Sequence, residues 1–335
     1  MEYRILGKTG LKISRMGFGG IPIQRIDAEG TKALMHKLLE NGVNYIDTAR
    51  GYTVSEEYLG IGLEGIREHF VLATKSMSRT AEAMAKDIDI SLKNLRTDYI
   101  DLYQIHNAPP ADVEKVCSPG GALEALTAAK KAGKIGHIGI TAHSLETFRM
   151  ALELPWVETI MFPYNIVEDQ AKELIHACAE KNIGFIAMKP LAGGAIEDAV
   201  TALRYVCANP DVTVVIPGMA DIAELNQNLA AVNDSSPLSV EEEAKMRAIR
   251  DALGTQFCRR CNYCQPCSAG ISISSVFLFE GYLSRYGLVD WARSRYAMLT
   301  KKASDCIGCG ACESRCPYHL PIRSMLKEAA EKFGE

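Results

Sequence analysis

Four side chains that can bind or transfer protons follow three short apolar runs in the first third of the chain. Asp47 ends the first run, and Tyr52 lies in the glycine-containing loop behind it. Lys75 ends the second run and His106 ends the third. If these runs are consecutive parallel strands, their carboxyl ends share one face and the four side chains converge there. Catalytic residues of a (β/α)8 barrel come from that face.

This set of side chains suits the reduction of a carbonyl group. Tyr52 can supply the proton, but an unperturbed phenol, with a pKa of about 10, holds it too tightly, and a nearby cation lowers that pKa. Lys75 is the expected cation, Asp47 neutralises and fixes it, and His106 orients the carbonyl oxygen. Each residue alone has a structural explanation, as a loop cap, a solvated strand end or a core histidine. Together, at successive strand ends, they predict a catalytic site.

The order Asp, Tyr, Lys, His resembles the catalytic tetrad of the aldo-keto reductases. The settings that carry the resemblance are Asp47-Thr-Ala-x-x-Tyr52, Thr74-Lys75 and Ile105-His106. The resemblance extends over roughly residues 1 to 230. It implies a (β/α)8 barrel, an NAD(P)H coenzyme, and a small carbonyl or alcohol substrate.

The same resemblance implies where the coenzyme binds. The loop at Pro217 and the helix after it are similar to the elements with which the family holds the adenosine phosphates, and a helix N-terminus is a natural anion site. Thr141 and Asn165 match polar positions for the carboxamide, while Met188 stands where relatives often stack a tyrosine. Glu224 replaces an expected arginine and would repel a 2′-phosphate, which favours NADH. The implied contacts on the adenosine side are Pro217, Gly218, Met219, Glu224 and Asn228.

Eight of the 11 cysteines lie in two groups between Phe257 and Pro317. The second group has the spacing C-x2-C-x2-C-x3-C-P, with which bacterial ferredoxins bind iron–sulfur clusters and in which the fourth cysteine reaches the other cluster. The first group departs from it by one residue and lacks the proline. The tail thus resembles a ferredoxin-type domain and predicts two [4Fe–4S] clusters. A single cluster with spare thiols, or structural zinc, is the alternative. The predicted ligands are Cys258, Cys261, Cys264, Cys267, Cys306, Cys309, Cys312 and Cys316.

The elements that would position the first site alternate between strands and helices, after a hairpin over residues 3 to 15. This alternation predicts a parallel sheet closed into a (β/α)8 TIM barrel. An open doubly wound sheet is the alternative, but no G-x-G-x-x-G follows an early strand. The expected strands are 16–19, 45–47, 70–75, 98–106, 135–141, 158–162, 184–188 and 212–216. The expected helices include one capped by Thr31 and ended by Gly42, 55–66, 80–95, one from Pro119 to Gly133, one capped by Asp169, and one opening near Asp221.

The chain is expected to form three parts. These are a barrel over residues 1–235, a helical connector over 236–256 that opens with a capping box at Ser239, and a mainly helical iron–sulfur domain over 257–335. Hydrophobic residues make up 47% and charged residues 23% of the sequence, as in globular proteins. The net charge of −4 gives no attraction to nucleic acid or to an anionic membrane.

The start of the chain has no apolar signal core, and no apolar run is long enough to span a bilayer. We therefore expect a cytoplasmic protein whose cysteines bind metal rather than form disulfides. The expected function is nicotinamide-dependent interconversion of a carbonyl and an alcohol. The iron–sulfur domain would be structural or exchange electrons with a ferredoxin-like partner. The alternative is a redox-sensing or electron-transfer regulatory protein that keeps the barrel without carbonyl turnover.

Overall fold

The computed structural model describes residues 1–335, and its strands form one hairpin and one eight-stranded parallel sheet. The hairpin pairs β1 (Tyr3–Ile5) with β2 (Lys12–Ser14). The parallel sheet follows chain order, and it closes because β10 pairs back to the first strand through the amides of Gly17 and Gly19. The predicted barrel is confirmed. Its strands are β3 (Phe18–Gly19), β4 (Tyr45–Asp47), β5 (Val71–Ser76), β6 (Ile100–Ile105), β7 (Ile135–Thr141), β8 (Thr159–Pro163), β9 (Gly184–Met188) and β10 (Val214–Ile216).

Alternate residues of the barrel strands fill its interior, as the period of two in a strand requires. Tyr45, Leu102 and Met161 belong to this inner cluster, and Leu6 of the hairpin packs into it. Gly7 brings the hairpin turn against β9 in the left-handed region at φ +52°, where an added Cβ would lie 2.2 Å from the amide nitrogen of Gly184. The hairpin therefore packs against the inner residues of the barrel. A larger apolar cluster lies between the sheet and the surrounding helices.

The helices of the barrel agree with the predicted order, with three corrections at their starts. Asp27 caps the first helix by accepting from the Gly30 amide at 2.8 Å, whereas Thr31 lies inside the first turn. Ala171, not Asp169, precedes the seventh helix. The helix expected from Pro119 starts behind Gly121, and a separate helix with Pro110 at its first position precedes it. The helices are α1 (Ala28–Glu40), α2 (Ser55–Gly62), α3 (Ala81–Asn94), α4 (Pro110–Cys117), α5 (Ala122–Lys131), α6 (Leu145–Glu153), α7 (Lys172–Glu180), α8 (Ala199–Cys207) and α9 (Ile222–Asn233).

Residues 240–335 form a second compact unit together with residues 192–197, while the barrel comprises 1–191 and 198–239. Ile271, Val276 and Leu326 lie in the core of this unit, and the ring of Tyr296 stacks on that of Phe333 with 3.7 Å between centroids. Among all helices of the chain, none combines the length and the apolar composition of a membrane span. The predicted helical tail is confirmed. Its helices are α10 (Val240–Gly254), α11 (Ile273–Ser284), α12 (Val289–Ala297), α13 (Ala311–Ser314) and α14 (Ile322–Phe333).

Candidate active site and cysteine cavities

The structure brings the four residues of the first predicted site together at the carboxyl ends of three neighbouring strands. Lys75 Nζ donates to Asp47 Oδ1 and, at 2.8 Å, to the Thr48 carbonyl. The same nitrogen lies 5.0 Å from the centroid of the Tyr52 ring. The Tyr52 and His106 rings stand edge to face, with 6.0 Å between centroids. A phenol, an imidazole and a buried ammonium group therefore share one small region.

The Asp47–Lys75 pair is almost completely buried, with exposures of 3% and 2%. Burial raises the pKa of Asp47, and the charge of Lys75 and a hydrogen bond from Gln104 work against that increase. Burial lowers the pKa of Lys75, and Asp47 opposes it. Each charge thus depends on the other, because an isolated charge is costly in a low-dielectric interior. The cation is held in place beside Tyr52 rather than in solvent.

Gln104 belongs to this network, although the sequence analysis did not single it out. It is fully buried on β6, and its Nε2 donates to Asp47 Oδ2 at 3.0 Å. Gln104 lies two residues before His106, so both point to the same side of the strand. The sequence did contain a signal for Gln104, because it is a polar residue inside an apolar run, two positions before His106.

A second buried network fixes the loop that carries Tyr52. The Arg50 amide donates to the Lys75 carbonyl at 3.0 Å, and Arg50 Nη1 donates to Glu56 Oε2 at 2.7 Å. Glu56 is 1% exposed, and its Oε1 accepts from Thr74 and Ser91, both at 2.8 Å. Glu56 looks like an ordinary first-turn helix charge in the sequence, so its burial was not predicted.

Two residues expected near the carboxamide already have protein partners. Thr141 Oγ1 accepts from the Asn107 amide at 2.8 Å. The Asn165 amide group donates to Glu168 and to the Lys189 carbonyl, and its oxygen accepts from two backbone amides. Both side chains hold loops at the carboxyl ends of the strands. Their part in coenzyme binding stays a prediction.

The predicted binding region for the adenosine phosphates lies at the N-terminus of α9. Backbone amides there already donate hydrogen bonds to carboxylates of the chain. Asp221 accepts from the Glu224 amide at 2.8 Å, and Glu224 Oε2 accepts from the Ala220 amide at 2.6 Å. Glu224 Oε1 also lies 3.2 Å from Arg25 Nη2. A Cβ on Gly218 would lie 2.7 Å from the ring of Pro22. The predicted preference for NADH over NADPH at this end stays a prediction. Of the other expected contacts, Pro217, Met219 and Asn228 are buried.

The eight cysteines of the second unit line two cavities, and each cavity draws its fourth thiol from the other sequence group. The first is lined by Cys258, Cys261, Cys264 and Cys316. The second is lined by Cys306, Cys309, Cys312 and Cys267.

This arrangement fits four-thiol binding of iron–sulfur clusters. Burial and the neighbouring Cys258 and Cys261 raise the pKa of Cys264 to about 12, so this thiol stays protonated until metal replaces its proton. No three cysteine, histidine or carboxylate side chains lie close enough together to hold a single metal ion. Of the eight, only Cys309 is exposed.

These observations define a (β/α)8 barrel with a polar site at its strand ends, joined to a cysteine-rich helical unit. Residues 15–201 match the model of the aldo/keto reductase family, and residues 257–321 match that of a 4Fe-4S dicluster domain. The chain belongs to the aldo/keto reductase family, as its sequence predicted.

The relatives named next match between about half and three quarters of this chain. L-galactose dehydrogenase of Arabidopsis thaliana is 28% identical over 294 residues, covering 72% of this chain and 92% of the relative. Aldo-keto reductase YhdN of Bacillus subtilis is 33% identical over 205 residues, covering 54% and 59%. The solved holo form of an aldo-keto reductase of Bacillus halodurans aligns with a TM-score of 0.64 and 25% identity, covering 74% of this chain and 96% of that one.

Proposed function

We propose that the barrel catalyses the NAD(P)H-dependent interconversion of a small carbonyl compound and its alcohol. The observation that carries this proposal is the buried Asp47–Lys75 pair beside the Tyr52 ring, with His106 next to it. Nicotinamide, when bound, supplies the hydride. Tyr52 gives its proton to the carbonyl oxygen, and Lys75 stabilises the phenolate that is left. His106 donates a hydrogen bond that orients the same oxygen.

NADH is the proposed coenzyme. Glu224 places a carboxylate on the backbone donor of Ala220, where an anion would otherwise bind. A 2′-phosphate would have to displace that carboxylate and would be repelled by it. Arg25, the cation beside Glu224, is already paired with it.

The second unit is proposed to hold two [4Fe–4S] clusters, each on three cysteines of one group and one of the other. Their first role is structural, because three of the thiols lie in the core of a small domain and metal binding supplies folding free energy to such domains. Exposed clusters and free thiols require a reducing compartment, which favours the cytoplasm.

A second role, electron exchange with a ferredoxin-like protein, is favoured by the exposure of the second cluster site. Cys309 is exposed, and Ile307 beside it is 68% exposed. A partner that docks there would contact a ligand sulfur directly. A [4Fe–4S] cluster transfers one electron at a time, whereas nicotinamide transfers two as a hydride. The proposed electron partner of the cluster is therefore a separate protein and not nicotinamide bound in the barrel.

The proposal is tested with anaerobically purified full-length protein. Iron and sulfide are counted, and the oxidation of NADH and NADPH is followed with a panel of aromatic aldehydes, short aldehydes and ketones. We expect about eight irons and eight sulfides per chain and NADH-dependent reduction of at least one carbonyl. Coenzyme binding without reduction of any panel member would favour the regulatory alternative.

A further inference from the structure

Gln104, Gly139 and Thr159 lie side by side on the inner faces of three neighbouring strands. The strand register pairs Gln104 with Gly139 and Gly139 with Thr159. Because Gly139 has no side chain, its neighbours reach over it from both sides. A Cβ added there would lie 2.2 Å from Thr159 Oγ1 and 3.2 Å from Gln104 Cγ. The missing side chain of Gly139 therefore lets the Thr159 hydroxyl and the Gln104 side chain approach each other across the middle strand.

Two polar atoms at this place have no hydrogen-bond partner among the protein atoms. Gln104 and Thr159 are both fully buried. Gln104 Nε2 donates to Asp47 Oδ2, but Gln104 Oε1 and Thr159 Oγ1 have no protein partner. Buried polar atoms are nearly always satisfied, by protein or by ordered water. An amide oxygen only accepts, whereas a hydroxyl both donates and accepts.

We propose that a buried water molecule bridges Gln104 Oε1 and Thr159 Oγ1, and that Gln104 is thereby a positioning residue for Asp47. A water bound to two or more otherwise unsatisfied groups is a regular part of protein interiors. The water donates to Oε1 and accepts from, or donates to, the Thr159 hydroxyl. This fixes the amide with its nitrogen towards the carboxylate. The reversed amide would place an oxygen against Asp47.

The inference rests on the proposed function, because Asp47 affects turnover through Lys75 and Tyr52. Asp47 is faced by Lys75 from β5 and by Gln104 from β6, and Tyr45 lies two residues before it on its own strand. Glu56 also acts on Lys75, and His106 packs against Tyr52. The pH profile of turnover therefore reports this whole network rather than one group. Weaker support of the Asp47 anion moves the acid limb of that profile to higher pH.

The test uses the full-length protein with its clusters and compares Thr159→Val with the matched control Thr159→Ser. Valine has the shape of threonine without the hydroxyl, whereas serine keeps the hydroxyl. We expect a high-resolution crystal structure of the parent to show a water within about 2.6–3.2 Å of both atoms. Thr159→Val should lose it and Thr159→Ser should keep it.

The kinetic arm measures the pH dependence of kcat in the same proteins and in Gln104→Leu. Loss of the donor in Gln104→Leu should move the acid limb upward by about one unit, and Thr159→Val should move it part of the way. Thr159→Ser should match the parent. A dry contact between Thr159 and Gln104, or a Thr159→Val profile equal to that of the parent, would overturn the proposal. If the parent reduces no carbonyl, the proposed function fails, and the crystallographic arm still decides whether the water exists.

Discussion

The two units of this protein hold their functional side chains in opposite ways. In the barrel, other protein groups position the reactive residues, since Lys75 is bonded to Asp47 and the Thr48 carbonyl. In the second unit, the cysteines face two cavities, and burial together with neighbouring cysteines raises the pKa of Cys261, Cys264 and Cys312. The Lys75 ammonium group is therefore held by protein contacts. The thiols of the second unit are expected to gain their partners when a cluster binds.

The same contrast extends to the cores. None of the four tetrad residues belongs to an apolar cluster of the barrel, whose strands and helices pack without them. Cys264, Cys312 and Cys316 are themselves members of the core of the second unit. Loss of a cluster would thus disturb the packing of that unit directly. Catalytic substitutions in the barrel should change rates, and cysteine substitutions in the tail should change folding.

The largest expected effect is that of Cys312→Ser on the second unit. Serine removes one thiol from the cavity that also contains Cys267, Cys306 and Cys309. We expect the absorbance of the clusters to fall by at least about half, and limited proteolysis to cut the region 257–321 first while the barrel stays intact. Cys117→Ser, an exposed cysteine on α4, is the control and should behave as the parent. A protease-resistant tail in cluster-free protein would contradict the structural role of the clusters.

The next effect is that of Tyr52→Phe on turnover. This change removes the hydroxyl that is proposed to donate the proton and keeps the ring that packs beside His106. We expect kcat for carbonyl reduction to fall by at least about a hundredfold, the usual contribution of a positioned acid. Circular dichroism and the cluster spectrum should stay those of the parent. Equal rates for variant and parent would remove Tyr52 from the mechanism.

A smaller effect is expected from Glu224→Arg on coenzyme choice. The change removes the carboxylate that holds the Ala220 amide and adds a second cation beside Arg25. We expect the ratio of kcat/KM for NADPH over NADH to rise by about tenfold or more, because a charge-assisted phosphate contact replaces a repulsion. Glu224→Gln, which loses the charge alone, should give a smaller rise. A strong preference of the parent protein for NADPH would contradict the proposed role of Glu224 in coenzyme choice.

The smallest effect concerns the stability of the barrel and its dependence on pH. Burial alone would raise the pKa of Glu158, but hydrogen bonds from His137, Lys130 and the Ile138 amide outweigh it and lower the pKa to about 2. A carboxylate whose pKa is depressed on folding stabilises the protein above its unfolded pKa, near 4.3. That contribution is lost as pH falls from about 5 towards 2.

Glu158→Gln should therefore lower the free energy of unfolding by about 1 to 3 kcal/mol at pH 7. The difference between variant and parent should shrink as the pH approaches 2, as measured by denaturant unfolding of the barrel signal. The cluster absorbance at pH 7 should not change, because Glu158 lies in the other unit. A difference that stayed constant with pH would show that Glu158 does not contribute as an anion.

The sequence predicted the barrel and its tetrad because both depend on local patterns at strand ends. Strand β7 and strand β9 have the predicted bounds, and the apolar run of β9 stops before Lys189-Pro190. Helix starts were less predictable because several polar residues compete for one cap, as Asp27 and Thr31 do. The ferredoxin-type spacing implies that a fourth cysteine reaches the other cluster, but the assignment of each cysteine to a cavity, Cys267 and Cys316 included, needed the tertiary structure. Gln104 was not predicted because its role depends on a hydrogen bond to Asp47, which lies 57 positions away in the chain.

The central claim, that this barrel transfers hydride to a carbonyl with Tyr52 as the acid, is tested most directly by following deuterium. NADH deuterated at the transferred position is mixed anaerobically with the full-length protein and an aldehyde or ketone from the panel, and the alcohol is analysed by mass spectrometry. We predict one deuterium on the carbinol carbon, with the same product formed at least about a hundredfold more slowly by Tyr52→Phe. Bound coenzyme that gives no deuterated alcohol with any carbonyl, or equal transfer by both proteins, would contradict the account.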